Sequence, residues 1–252
     1  MAAPTCSFTV SWVSPMLSAP FVITPTYEFD PVTLQVVITI PSFTVTTDIL
    51  KACYGLIAPG NCSFPSNLQG STQTAITTMD FGSGPMPATL TMYPDGSMAL
   101  GPNSSSFFYG SSISVASCIL SYTATSAPMA LNYGTTLLTF AGPELPAGVT
   151  STVYYSTDGM NVVLCIPSLI FATNHTLSNA LMSTTSLSNS SPNLVPAIAV
   201  SIPTLGQSYK SGAVTSATFA IDTSGFISYT VPGNLPINSH STFGYSIAIY
   251  PV

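Results

Sequence analysis

The sequence predicts an all-β chain built as two β-sandwich domains in tandem, the jelly roll being one of the sandwich types open to them. Three observations predict it. Short runs such as VTLQVVITI (32–40) alternate apolar and polar positions and are rich in β-branched residues, which suit a pleated, half-buried surface. The 22 Pro and 17 Gly cut the chain into pieces at about the 8–12-residue spacing of sandwich strands. The whole pattern also occurs twice.

The repeat can be read residue by residue. LQVVITIPSF (34–43) matches MNVVLCIPSL (160–169), with Val36 on Val162 at an offset of 126. The same offset joins Pro20 to Pro146, Thr24 to Thr150 and Leu68 to Leu194. ATLTMYPDGSMAL (88–100) then faces ATFAIDTSGFISY (217–229), with Gly96 on Gly225 at 129, and CILSY (118–122) faces SIAIY (246–250), with Tyr122 on Tyr250 at 128. One nearly steady offset over five segments means a tandem duplication, with changes of two or three residues falling in loops. The expected domains are 1–125 and 126–252.

Each copy starts with strands and then shows an alternating strand closed by Pro41 or Pro167, since proline cannot donate to a ladder. TLTMYPDGSMAL is a hairpin: Pro94 presets φ for the turn and Gly96 supplies the positive φ after it. Asp222-Thr223-Ser224-Gly225 does the same in the second copy. Asp95 and Asp222 are expected to cap these turns rather than bind calcium, because no D-x-D-x-D ladder accompanies either. The last strand of each copy ends in a buried tyrosine, Tyr122 or Tyr250. Short helices are expected only over 46–57 and 176–187. Trp12 shares a strand face with Val10, in the core or between the domains.

This order of a first strand, a proline-bounded N-L segment, an A-T-L/F hairpin and a terminal aromatic strand resembles the β-sandwich head domains of bacteriophage tail-fibre and receptor-binding proteins. It is similar also to surface or capsid-associated proteins of large DNA viruses. The resemblance covers roughly residues 30–123 and 156–250 and rests on turn and strand grammar. Pro65-Ser66-Asn67-Leu68 and Pro192-Asn193-Leu194-Val195-Pro196 stand where such domains carry an L-P-x-x-x-R-P-type segment, without its arginine. The resemblance implies homotrimeric assembly and host-surface contact, and it transfers no functional residue.

Composition excludes several functions. Charged residues make up 4% of the chain, Lys51 and Lys210 are its only lysines, and it has no arginine. Nucleic-acid binding, which needs clustered cations to displace counterions, is excluded, as is polybasic membrane binding. Ser and Thr replace charge as the solvating groups, as suits an exposed, protease-challenged particle. Mean hydropathy is +0.49, yet Ser, Thr, Asn, Gly or Pro interrupts every apolar run short of the roughly 18 residues of a membrane span. MAAPTCSFTVSW has neither the basic nor the apolar region of a secretory signal.

The five cysteines leave at least one unpaired within the chain. Cys53 and Cys62 enclose a Pro/Gly loop and are a candidate disulfide; Cys6 with Cys118, in the first and last strands of copy one, is another. Cys165 reads as a small buried hydrophobe. One C-x8-C with two remote histidines makes no zinc site, so no metal or cofactor is expected. No G-x-S-x-G elbow is present, and His175 and His240 lie in polar loops. Glu28 and Asp30 share a strand face at about 6–7 Å, a spacing compatible with a glycosidase pair, but Tyr154 and Ser156 replace them in the second copy. Asn61, Asn103, Asn174 and Asn189 begin N-x-S/T sequons. Phe107, Phe108 and Tyr109 follow a polar run and are the candidate receptor or glycan contacts, with the start of the next strand as their alternative.

The function expected is therefore a non-enzymatic structural component of a virion or extracellular surface (fibre, spike or capsid-associated protein). It would be a homo-oligomer, with a trimer favoured, partnered by other virion or surface proteins and a host glycan. The alternatives are a carbohydrate-binding adhesin module and a secreted glycan hydrolase, which Glu28→Gln would abolish.

Overall fold

The computed structural model describes residues 5–48, 53–61, 63–104, 107, 110–171, 176–177, 180–190, 192–208, 214–232, 235–236 and 241–252. The first half contains β1 (Cys6–Ser7), β2 (Val10–Trp12), β3 (Phe21–Ile23), β4 (Thr26–Asp30), β5 (Gln35–Ile40), β6 (Phe43–Thr46), β7 (Leu56–Ala58), β8 (Gln73–Asp80), β9 (Pro85–Met92), β10 (Met98–Pro102), β11 (Ser112–Val115) and β12 (Cys118–Thr123). The second contains β13 (Asn132–Gly142), β14 (Leu145–Thr157), β15 (Asn161–Ile166), β16 (Leu169–Phe171), β17 (Thr176–Leu177), β18 (Leu181–Ser183), β19 (Val200–Ser208), β20 (Val214–Ile221), β21 (Ile227–Thr230), β22 (Leu235–Pro236), β23 (Ser241–Phe243) and β24 (Ser246–Pro251). The chain is all-β, as the sequence predicts.

The pairing is nested. In the first half β5 pairs β12, β6 pairs β11, β7 pairs β10 and β8 pairs β9, all antiparallel. In the second half β15 pairs β24, β16 pairs β23, β18 pairs β21 and β19 pairs β20. Such nesting rolls a long hairpin onto itself, as in a jelly roll. The sheet order β6-β11-β8-β9-β10-β7 recurs strand for strand as β16-β23-β19-β20-β21-β18.

Among the described residues the main difference between the halves lies at the first hairpin. In the second half, β13 and β14 form a long unbroken hairpin, and Phe140 and Ala141 pair with Ser183 and Met182 of β18. Two sheets thereby become one of ten strands. In the first half the matching hairpin is split into β1 with β4 and β2 with β3, and a single bridge, Val13 with Ile57, touches β7. Pro25 lies at the split, where the second copy has Ser151 inside β14. A proline has no N–H to contribute to the ladder there.

Two hydrophobic clusters fill the two halves, one running from Phe8 to Ala124 and the other from Leu138 to Tyr250. Trp12 is buried in the first, stacked on Phe43 at 5.9 Å. The hairpin turns match closely: Tyr93 N–H donates to Ser97 O and Asp222 N–H to Phe226 O, with Gly96 and Gly225 both at φ +80°. A Cβ at Gly96 would lie 2.3 Å from the Phe64 ring, so both space and backbone demand glycine. The terminal tyrosines are buried, and the Tyr122 hydroxyl donates to Leu68 O at 2.5 Å while that of Tyr250 donates to Leu194 O at 2.9 Å.

The helix expected over 176–187 is not formed. Leu181 and Ser183 point inward and Met182 outward in β18, and only Leu187–Asn189 coils, as a 3-10 turn capped by the Ser186 hydroxyl. Serine and threonine compete for backbone groups and disfavour a continuous helix, while β18 gains ladder partners on both sides. Over 46–57 the described residues end β6 and begin β7, and 49–52 lie outside them. No helix among the described residues is long and apolar enough to cross a membrane.

Candidate functional site: the interdomain seam and cleft

Most strands bury one face; β7, β10 and β15 bury both in the seam. Their second faces meet. Ile57 and Ala99 of the first half pack on Val163 and Cys165 of the second, with Tyr93, Tyr154, Tyr245 and Ile247 around them. Tyr54 and Tyr245 extend the contact, their ring centroids 5.7 Å apart.

One carboxylate lies in this seam. Asp95 is 2% exposed. Its Oδ1 accepts from Ser97 N–H (3.0 Å) and the Ser97 hydroxyl (2.6 Å), the turn-capping role the sequence predicts. Its Oδ2 accepts from the Ser156 hydroxyl across the seam at 2.6 Å, and its carbonyl accepts from the Tyr133 hydroxyl at 3.2 Å. Burial raises the carboxyl above its ordinary value, and the Ser156 and Ser97 hydrogen bonds act against that. The Tyr93 hydroxyl is pushed up to about 12, by burial first and then by Cys165 and Asp95. Asp222, which caps the other turn from the position that Tyr93 holds in this one, is exposed and accepts from Ser224 and Phe226 N–H.

Beside the seam opens a cleft of about 500 Å³. Val13, Ser14 and Leu17 line one wall and Thr150, Tyr154 and Ser168 the other. Ser168 Oγ is buried and has no hydrogen-bond partner among the described residues. The lining is hydroxyl and apolar without a charged group, which suits a neutral polyhydroxylated ligand rather than an ion.

Other residues singled out by sequence are scattered. Phe107 is 6% exposed and packs on Tyr54, with centroids at 5.8 Å, as in its strand-start alternative; Phe108 and Tyr109 lie outside the described residues. Glu28 is exposed on β4, while Asp30 accepts from Val32 N–H and the Thr33 hydroxyl, closing the β4–β5 turn. His175 and His240 lie outside the described residues, among which no cluster of metal-ligating side chains occurs.

Cys53 is a buried free thiol, and Cys62 lies outside the described residues, so their pairing falls there too. Cys6 and Cys118 are both free. They sit on opposite edges of the sheet β1-β4-β5-β12, roughly 14 Å apart at ~4.8 Å per strand, where a disulfide needs less than ~7 Å. Cys165 is buried, in the seam rather than a core. Burial pushes the Cys53 thiol to about 11 and raises that of Cys165 well above its ordinary value, whereas Cys6 is exposed. Iodoacetamide treatment of the native chain at pH 8, mapped by peptide mass spectrometry, is expected to label Cys6 and leave Cys53 and Cys165 unmodified until denaturant is added.

Sequence reasoning missed the seam. Its signal was the unbroken apolar run VVLCI in the second copy against the alternating VVITI in the first, the mark of a strand buried on both faces.

No family model matches the chain, and no curated protein does. Among solved structures it is similar to the reovirus attachment protein sigma1, crystallised in complex with alpha-2,3-sialyllactose, with a TM-score of 0.38 and 12% identity over 52% of this chain and 70% of that one.

Proposed function

We propose that the chain is a non-enzymatic structural component of a virion or comparable extracellular surface, formed by duplication of one β-sandwich domain and assembled as a homo-oligomer, a trimer by preference, that contacts the host. The observation that carries this reading is the same nested strand plan used twice, under a surface solvated by hydroxyls rather than charges. Nested double-sheet folds are a recurrent building unit of capsids and of lectins. A surface with few charges also loses little on desolvation when copies meet. The test is direct. Particles purified from the source culture are digested and immunogold-labelled with antibody to this chain; stoichiometric peptides and surface gold are expected, and peptides confined to the cell fraction would overturn the reading.

The cleft favours carbohydrate binding as a second reading. Neutral oligosaccharides titrated into the chain are expected to bind there, and Tyr154→Ala to weaken them about tenfold, near 1.4 kcal/mol, with the fold retained by circular dichroism. A glycan that binds wild type and variant alike would remove the cleft from consideration.

A further inference from the structure

The seam is heterologous: it joins one kind of face on the first half to a different kind on the second. The first half contributes β7 and β10, with Ile57, Ala99 and Asp95; the second contributes β14, β15 and β24, with Ser156, Val163 and Ile247. Because both halves follow one strand plan, each also carries the face its neighbour uses, and those two remain uncovered. On the second half the counterparts of Ile57, Ala99 and Asp95 are Met182, Ser228 and Ser224; Met182 stands opposite Ser228 as Ile57 stands opposite Ala99. On the first half the counterparts of Ser156, Val163 and Ile247 are Asp30, Val37 and Ile119. The apolar centres of both faces are exposed: Met182 by 48%, Val37 by 36% and Ile119 by 61%.

The polar pair at the rim is exchanged between the copies. Inside the chain Asp95 on the β7–β10 face accepts from Ser156 on the β15 face. On the free faces the same two positions hold Ser224 and Asp30, so serine and aspartate have traded sides. The combination survives although each residue differs. Two independent surface drifts would not restore a complementary pair, whereas a contact between these faces requires one. Asp30 gives each carboxylate oxygen one bond within its own turn, leaving lone pairs for a further donor.

We propose that the chain associates head to tail with further copies of itself, the free β18–β21 face of one seated on the free β4–β5–β12 face of the next. Met182 then packs against Val37 and Ile119, and the Ser224 hydroxyl donates to Asp30, repeating the internal seam between molecules. Repetition of a heterologous contact closes a ring when its rotation divides a full turn; three copies would set six alike half-units around the axis. The inference rests on the assembly part of the function proposed above and is independent of whether the chain resides on a particle.

Mixing of two blocked variants tests it. Light scattering of the purified full chain is expected to give a multiple of 26.1 kDa. Ile119→Asp and Met182→Asp each block one face and are expected to give monomers whose circular dichroism matches the wild type and whose melting, unlike that of the wild type, does not change with concentration. Mixed one to one, each retains the face the other lacks, so the pair is expected to form a species of twice the chain mass and nothing larger. Ile76→Asp, at an exposed site on neither face, is expected to keep the wild-type mass. Should Ile119→Asp fail to fold, Val37→Asp takes its place. A monomeric wild type, a blocked variant that keeps the full mass, or a mixture that stays monomeric overturns the proposal. In the last two cases the oligomer itself stands and only this interface fails, while particle location is read by the separate immunogold experiment.

Discussion

Tyr229→Ala is expected to destabilise the second half by about 3–5 kcal/mol, the usual loss when a large aromatic is cut from a packed core. The ring has no exposed surface and lies at the centre of an aromatic cluster. It meets Phe140 edge-on at 5.6 Å and Phe219 edge-on at 5.3 Å, and stacks on Phe243 at 4.9 Å. Those neighbours come from β13, β20 and β23, so one truncation removes contacts to strands spread along the ten-stranded sheet. The hydroxyl contributes far less, since its contact to Ser246 Oγ is 3.5 Å long; Tyr229→Phe should cost less than about 1.5 kcal/mol. Urea melts of both variants, followed by near-ultraviolet dichroism, check this. Equal losses from the two would mean that the hydroxyl, rather than ring packing, holds the site.

The second large effect is at Asp95. Asp95→Ala strips the acceptor from the Ser97 N–H, the Ser97 hydroxyl and the Ser156 hydroxyl, in a seam that water does not reach. A buried donor left unpaired costs about 1–3 kcal/mol, and the loss should appear as earlier separation of the two halves. Asp95→Asn behaves differently. Its amide oxygen still accepts from Ser97, and its NH2 donates to Ser156 Oγ, without a buried charge. The sign of the pH dependence follows from the raised carboxyl. A folded-state value above the unfolded one means that the neutral acid is favoured by folding. The associated stability is complete below the ordinary value of 3.8 and is lost as pH rises through the folded-state value. The asparagine variant keeps its stability over that window. Melting of both proteins between pH 3 and 8 is therefore expected to show Asp95→Asn gaining on the wild type as pH rises; a gap constant with pH would contradict burial as the governing cause.

Much of the fold was legible because its signals are local or repeated. The Pro94-Asp95-Gly96 turn demands one positive φ, the offset of 126–129 aligns strand with strand, and Tyr122 and Tyr250 end their strands buried as the pattern required. What was not legible depends on partners distant in sequence. Leu181–Ser183 reads as helix or strand until β13 and β21 flank it. Cys6 and Cys118 look like neighbours until β4 and β5 are placed between them. Phe107 points inward because Tyr54, 53 positions earlier, offers it a ring. Asp95 was recognised as a cap, but its second oxygen serves a residue 61 positions away. The exchange of serine and aspartate between Asp95–Ser156 and Ser224–Asp30 was present in the sequence all along. Reading it needed knowledge of which faces meet.

The split hairpin of the first half bears on how the protein comes apart. In the second half β13–β14 welds all ten strands into one ladder, and opening any part strains hydrogen bonds in the rest. In the first half a single bridge at Val13 and Ile57, made of two backbone hydrogen bonds, ties the β2–β3 ribbon to β7, while the shared core holds the two larger sheets together. Two halves with the same blueprint thus differ in ladder continuity: β13–β14 is bonded along its length, whereas β2–β3, beside the cleft that Val13 lines, is held to β7 by one bridge. Local opening is therefore expected to start at the β2–β3 ribbon, close to the hydroxyl-lined wall, and to leave the β13–β14 hairpin closed.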